Sequence, residues 1–495
     1  MDKKVSLCFV VLAFLLLGCK QSSDTGKFVK APCPIEVPDG LEDSGKFSFG
    51  YMKVPEFHKN PNGNTIELAI AIHKCQGDSA TQEPFVLVTG GPGMSDIDNF
   101  VPDLFGDLGA LFLNNRDIVI IELRGLKYSK PNLMLPEIDN LQLYLADKNL
   151  SAEKTIELYM DSLQSAYDRL VQEGVNLSAF NDYEIANDIV YVMGKLNYDK
   201  FSVFGSSFGT LVTEHLLLNH SEHLVSVTMN AVVDINKALP GMHTNSIQTL
   251  EDIFKKCEND PELNKAYPDL KNRFLSTLKR LNESPDTLDI EYWKNGEKYK
   301  IPLNGNKLSV WLFGMMYWDA QIPSTLDKIL SGDYSQIIQN PGMIFPLNEF
   351  SYGLSLSILL SEYSNIEDDA IPLNNEYVDY VKGCGTMMFT PYFLSHAKEV
   401  WKVNDLQNKN IVLVSDVPTL MLSGELDHVC PPKYAKDLSK NLKNSYLYVF
   451  PGIAHSPIDF GSCGIMMMKE FVDNPAKAPD SSCLQEFHSG FILPE

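Results

Sequence analysis

Basic residues are scarce for a chain of this size: 41 Lys and Arg stand against 64 Asp and Glu in 495 residues, a formal net charge of −23. A field of that sign repels phosphate backbones, which excludes nucleic acid as the default partner and favours cationic groups such as a protonated amine. Metal-ligand spacing is missing as well. There is no CxxC or HxxxH pair, so no metal site and no cofactor is expected. Beyond the first twenty residues no apolar run is long enough to cross a bilayer, and there is no internal repeat or low-complexity tract. Core material is plentiful: 44% of residues are hydrophobic and 21% charged. That composition and length suit a single αβ sheet domain with an insertion better than several domains in tandem.

The N-terminus carries an address. Lys3 and Lys4 precede an apolar run from Val5 to Leu17, followed by Leu16-Leu17-Gly18-Cys19-Lys20. This pattern is a secretory signal ending in a lipobox, with small Gly18 before the cleavage point. Residues 1–18 are expected to be removed. Cys19 would become the lipidated N-terminus of an exported bacterial lipoprotein, held on a periplasm-facing or cell-surface membrane, and 19–30 would form a polar tether.

Seven of the nine cysteines lie beyond the leader and lipid site, in a chain bound for an oxidising compartment. The proposed pairs are Cys33 with Cys75, Cys463 with Cys483 and, more weakly, Cys257 with Cys384. Cys430 is left over as a free thiol, and connectivity stays open because spacing does not determine it.

Along the chain, β-branched runs alternate with segments of helical periodicity, as in a mostly parallel sheet covered on both faces. Strands are predicted at Phe47–Val54, Thr65–His73, Phe85–Val88, Asp117–Ile121, Lys200–Phe204 and Leu224–Met229, with helices over Ser151–Glu173 and Tyr183–Leu196. From about 235 to 405 the segments read as helical, and strand signals return at Pro418–Leu422 and Tyr446–Phe450. The expected organisation is a first core part (31–234), a mainly helical cap inserted after the sixth strand (235–405), and a second core part (406–495).

Chemistry enters at Gly205-Ser206-Ser207-Phe208-Gly209, between a predicted strand and a helical stretch. A serine on a sharp strand-to-helix turn needs small residues two positions either side, because strand and helix approach closely. Such a nucleophile needs an orienting acid and then a histidine on later loops. Asp427, in Ser423-Gly424-Glu425-Leu426-Asp427, and His455, in Pro451-Gly452-Ile453-Ala454-His455, occupy those loops, with Glu425 the second choice of acid. His428 is too close to Asp427 in the chain to bridge it to a distant serine, and His488 lies near the terminus. Developing negative charge needs backbone donors, expected from Phe208 and from Gly91 in Thr89-Gly90-Gly91-Pro92-Gly93.

Together these residues resemble the α/β-hydrolases of the prolyl aminopeptidase and tripeptidyl aminopeptidase group. The resemblance rests on Gly90-Gly91-Pro92-Gly93, Glu122-Leu123-Arg124-Gly125 with Ser129, the serine turn with Thr210, the loop at Asp427, and His455. Ala266-Tyr267-Pro268-Asp269-Leu270 and Pro479-Asp480-Ser481-Ser482-Cys483 look like the tripeptidyl branch. It implies an α/β-hydrolase fold with a helical cap, and a serine exopeptidase acting on peptides with a free N-terminus. In the group's Asp-Gln-Arg-Gly-x-Gly-x-Ser pattern this chain has Glu122 for Asp, Leu123 for Gln and Lys127 for the second Gly. Within Ser361-Glu362-Tyr363, Glu362 is the candidate anchor for the substrate amine. A carboxylesterase or lipase would keep the same triad and need an apolar acyl pocket, for which Met315, Met316, Tyr317 and Trp318 are candidates. A non-catalytic peptide-binding lipoprotein would not need the triad. The sequence leaves the oligomeric state open.

Overall fold

The computed structural model describes residues 24–77, 80–236, 242–318, 321–346, 349–362, 376–406, 411–459 and 461–493. The expected leader and Cys19 lie outside the described residues.

The first part of the chain supplies seven strands: β1 (Phe28–Lys30), β2 (Phe47–Pro55), β3 (Thr65–His73), β4 (Phe85–Val88), β5 (Ile118–Ile121), β6 (Phe201–Ser206) and β7 (Leu224–Asn230). A separate antiparallel pair follows, β8 (Asp286–Glu291) with β9 (Lys298–Leu303), and then β10 (Thr419–Gly424) and β11 (Ser445–Phe450) return to the main sheet. That sheet runs β1-β2-β3-β5-β4-β6-β7-β10-β11. β1, β2, β3 and β5 pair antiparallel; from β5 to β11 every pairing is parallel. The sequences FVLV and IVII are buried at every position, as strands covered on both faces must be. Alternate residues feed two cores. Val86, Val88, Val203 and Met421 pack on one face, and Phe85, Leu87, Phe204 and Leu420 on the other. The first of these cores runs on without a break into the helices between β7 and β10.

Two expectations change, and one element was not anticipated. Phe28–Lys30 is an edge strand, with Phe28 opposite Met52, and not the end of a tether, so the insertion follows the seventh strand of the chain and not the sixth. The insertion also contains the hairpin β8–β9. Its outward positions are charged and its apolar ones few, but Asn295-Gly296, with Gly296 at φ +71°, is a turn signal the sequence did carry. Finally, Cys33, Cys75, Cys257 and Cys384 are free thiols. Cys75 is turned to the Gly77 carbonyl and Cys384 to the Ser309 carbonyl, so neither faces its expected partner. Burial pushes the thiols of Cys257 to about 11 and Cys384 to about 12, which keeps both protonated. Cys463 and Cys483 are joined, with Cα atoms 5.8 Å apart. Closing a loop of that length stabilises by about 3 kcal/mol.

Candidate active site

β4 lies between β5 and β6, where the strand order reverses, so the turns after β4 and β6 emerge side by side at the carboxyl edge of the sheet. Register fixes the meeting: Val88 pairs with Gly205. A Cβ on Gly209 would come within 2.6 Å of the Val88 carbonyl oxygen, and one on Gly90 within 3.1 Å of Ser207 Cβ and 3.7 Å of its Oγ. At 209 only glycine allows that approach, and at 90 a side chain would make Ser207 give way.

Ser207 has φ 53° and ψ −119°, a conformation that costs a non-glycine residue about 1–3 kcal/mol and persists where its surroundings hold it. Here its N–H donates to the Asn230 carbonyl at 2.8 Å, and its own carbonyl accepts from Thr210 N at 2.9 Å and Thr210 Oγ1 at 2.7 Å. The helix Phe208–Asn219 starts immediately after it. The strain aims the hydroxyl out over the sheet edge, and places the Phe208 N–H, unused by its own helix, beside it. The turn carrying Gly91 lies opposite, with Gly90 making the closest approach to Ser207.

The next two strands supply the remaining groups. Gly424 at the end of β10 pairs with Phe450 at the end of β11, so the loops that follow lie together. His455 Nδ1 is 2.8 Å from Asp427 Oδ2, and both side chains are buried. Asp427 Oδ1 accepts from the N–H groups of Val429 (2.9 Å) and Cys430 (2.8 Å). Burial pushes the Asp427 carboxyl up, but the His455 imidazole and the hydrogen bonds from His455 and Cys430 outweigh it and hold the group below the usual range. A fixed carboxylate of this kind sets the imidazole tautomer, leaving Nε2 to take a proton.

Cys430, whose role the sequence left open, is buried with its thiol against the Ser207 hydroxyl, and one donor atom each from Asp427, Cys430 and His455 lies within 4.8 Å of the others. Burial and then the Asp427 charge raise its pKa, offset in part by Ser207, so it is a neutral neighbour of the Ser207 hydroxyl. Glu425, the second-choice acid, instead accepts from Gly452 N at 2.7 Å. His428 packs edge-on against Phe313 and Tyr317 with centroids 4.6 and 4.9 Å away, and burial lowers its pKa to about 3. It is a neutral core residue.

Four residues contribute in ways that sequence reasoning did not anticipate. Asn230, fully buried at the end of β7, receives the Ser207 N–H and donates through Nδ2 to Ser206 Oγ (2.9 Å) and Ser456 Oγ (2.7 Å), joining the serine turn to the histidine loop. A lone amide ending an apolar strand was the available signal. Asp96 and Glu122 are fully buried together. Asp96 Oδ1 accepts the Thr89 N–H at 2.8 Å, and Glu122 accepts from Ser95 Oγ and the N–H groups of Ile97 and Tyr128. Burial raises both carboxyls, Glu122 to about 7, so this pair clamps the turn before Gly90 at the expense of a carboxylate's preferred ionised state. Tyr317 comes from the cap. Its carbonyl accepts the His455 N–H at 3.2 Å and its ring stands 5.0 Å from the imidazole.

Glu362 does not join this group. It lies with Asp182 and His215, and His215 is two turns along the helix from Ser207, about 12 Å between Cα atoms.

Residues 83–462 match the family described as alpha/beta hydrolase fold. The chain belongs to that family. The expected fold class, a mostly parallel sheet flanked by helices, is therefore shown for this hydrolase. No curated protein matches it. Similar solved structures include an esterase from Exiguobacterium antarcticum (12% identity, 83% of this chain and 97% of that one, TM-score 0.37). Another is a thermophilic esterase from Thermogutta terrifontis (13%, 86% and 99%, 0.36). A third is a proline iminopeptidase from Mycobacterium smegmatis (13%, 87% and 100%, 0.36). Scores at this level carry no argument about the substrate of the hydrolase.

Proposed function

We propose that the hydrolase is a serine aminopeptidase, exported and lipid-anchored through Cys19, which cleaves peptide bonds near free N-termini through an acyl-enzyme. The observation that carries the chemistry is Ser207 on its strained turn, in contact with Cys430, which lies beside the His455–Asp427 pair. Ser207 Oγ attacks the carbonyl as His455 takes its proton. Asp427 stabilises the imidazolium, and the N–H groups of Phe208 and Gly91 receive the developing oxyanion. His455 then gives the proton to the leaving amine, and water releases the acyl group by the same route. What supports a peptide substrate is the motif set: the Gly-Gly-Pro-Gly turn, the Glu122-to-Ser129 segment and the acidic charge, which favours an ammonium.

A second reading, an esterase, has its own observation. A cavity of about 180 Å³ is walled mainly by apolar residues, including Tyr159, Phe345, Phe350, Tyr352 and Met387, and Phe350 stands over Gly93 of the oxyanion turn. Of the residues proposed for an acyl pocket, Met316 is buried, Tyr317 covers His455, and Trp318 is 59% exposed.

A fluorogenic panel separates the two: free Pro-, Ala-, dipeptidyl and tripeptidyl amides, their N-blocked forms and a short acyl ester, with Ser207→Ala as control. Cleavage of free but not blocked amides, lost in the variant, is expected. Turnover of the ester alone would make the protein an esterase.

A further inference from the structure

Away from Ser207 the fold gathers a second set of donor groups from three helices. Asp182 begins Asp182–Lys195, His215 lies within Phe208–Asn219, and Glu362 ends Tyr352–Glu362 of the cap. One donor atom of each lies within 4.8 Å of the others, and the residues are 0%, 2% and 9% exposed. His215 Nε2 is 3.4 Å from Asp182 Oδ2. That is long for a charge-assisted hydrogen bond, but it matches the edge, about 3.4 Å, of a tetrahedron whose donors sit about 2.1 Å from a central ion.

The polar accounting points the same way. Asp182 Oδ2 and both ring nitrogens of His215 have no hydrogen-bond partner of good geometry among the described residues, and neither has Oε1 of the neighbouring Glu214, which is 1% exposed. Buried groups in that state are destabilising, so native structures rarely keep several together without a ligand. Among the described residues, Asp182's ion pair is the long one to His215.

We propose that Asp182, His215 and Glu362 bind one divalent transition-metal ion of the zinc class, which ties the cap to the sheet domain. Two carboxylates and an imidazole suit zinc, cobalt or manganese, whereas magnesium and calcium prefer oxygen-only sites. The ion would hold Tyr352–Glu362 at Glu362, while the start of that helix is bound to the turn carrying Gly91. There, Ser351 N–H donates to the Gly93 carbonyl at 2.8 Å and Ser355 Oγ to the Pro92 carbonyl. The ligands are scattered over three helices, which is why sequence spacing gave no sign of them. The proposal goes beyond the peptidase reading and does not depend on it.

The test uses the full chain, purified in detergent, stripped with a chelator and titrated with Co²⁺ and with Zn²⁺. One equivalent of Co²⁺ is expected to bind with visible d–d absorption, to be displaced by Zn²⁺, and to raise Tm; Ser207→Ala should behave the same. Because His215→Ala is a core cavity and can fail to fold, Glu362→Gln and Asp182→Asn carry the assignment. Each should weaken metal binding at least tenfold while Ser207 still reacts with a fluorophosphonate. No stoichiometric binding, or equal binding by both variants, would overturn the site. So would a Glu362→Gln chain with unchanged metal affinity and a raised KM for free-amine substrates only, which would hand the cluster to the substrate ammonium. Metal binding without amidase activity would sink the peptidase reading and leave the site standing.

Discussion

On the sheet side of the site, position comes from strand register. Val88 pairs with Gly205, Asn230 with both Ser206 and Leu422, and Gly424 with Phe450, so the loops bearing Ser207, Asp427 and His455 have little freedom to move apart. On the cap side, Tyr317 and Ser351 reach the same site through a ring contact and single hydrogen bonds to His455 and Gly93. A one-residue slip in the sheet would reverse every side chain, whereas a cap contact can be loosened one group at a time. The difference teaches how the two sides are held: register fixes the loops bearing Ser207, Asp427 and His455, whereas the cap meets them through separable contacts.

The largest effects should therefore come from the sheet side. Ser207→Ala is expected to lower kcat by about 10⁶-fold and abolish fluorophosphonate labelling, with the circular dichroism spectrum unchanged. Asp427→Asn, which spoils the imidazole tautomer, should cost about 10⁴-fold in kcat with little change in KM. A residual rate near wild type in either variant would break the assignment of the triad.

Stability offers two further probes of the register half. A Cβ on Gly424 would lie 1.8 Å from the Ala454 carbonyl oxygen, so Gly424→Ala must push the histidine loop aside. A loss of about 2–3 kcal/mol in urea unfolding is expected, with a fall in kcat. The Glu122 carboxyl has its pKa raised by burial from 4.5 to about 7. A raised acid stabilises fully below its unfolded value and loses that contribution as pH rises through the folded one. Unfolding free energy should thus fall by up to about 3 kcal/mol between pH 4.5 and 7.5, with Asp96 acting in the same direction. A urea midpoint that rises over this window would contradict the paired burial of the two acids.

The cap should give the smallest responses. Tyr317→Ala removes the ring over His455 and is expected to lower kcat/KM about tenfold, chiefly through KM, whereas Tyr317→Phe keeps the ring and should stay within twofold. Equal losses in both would show that the hydroxyl matters, and would place the cap among the groups that fix the chemistry.

Much of the sheet side was legible because its signals are local. Gly205-Ser206-Ser207-Phe208-Gly209 sits between a strand and a helix, and Asp427 and His455 each follow a β-branched run, so motif and expected order coincide. What stayed hidden came from pairs distant in the chain: Asn230 joining two loops, Asp96 against Glu122, and Tyr317 over His455. Cys430 lies three residues from Asp427 in the sequence, but its contact with Ser207 depends on how the loop folds back. Cys33 and Cys75 flank strands and still do not pair, because position in sequence says nothing of which way a thiol turns.

The sequence by itself determined the alternation of strands and helices, and hence the parallel sheet, together with the placement of Ser207, Asp427 and His455 on turns that follow strands, because apolar periodicity and glycine spacing act within a few residues. Only the tertiary structure decided which carboxyls share a buried site, which thiols stay free and where Glu362 goes. Those outcomes depend on burial and on contacts between segments hundreds of residues apart, which no local pattern encodes.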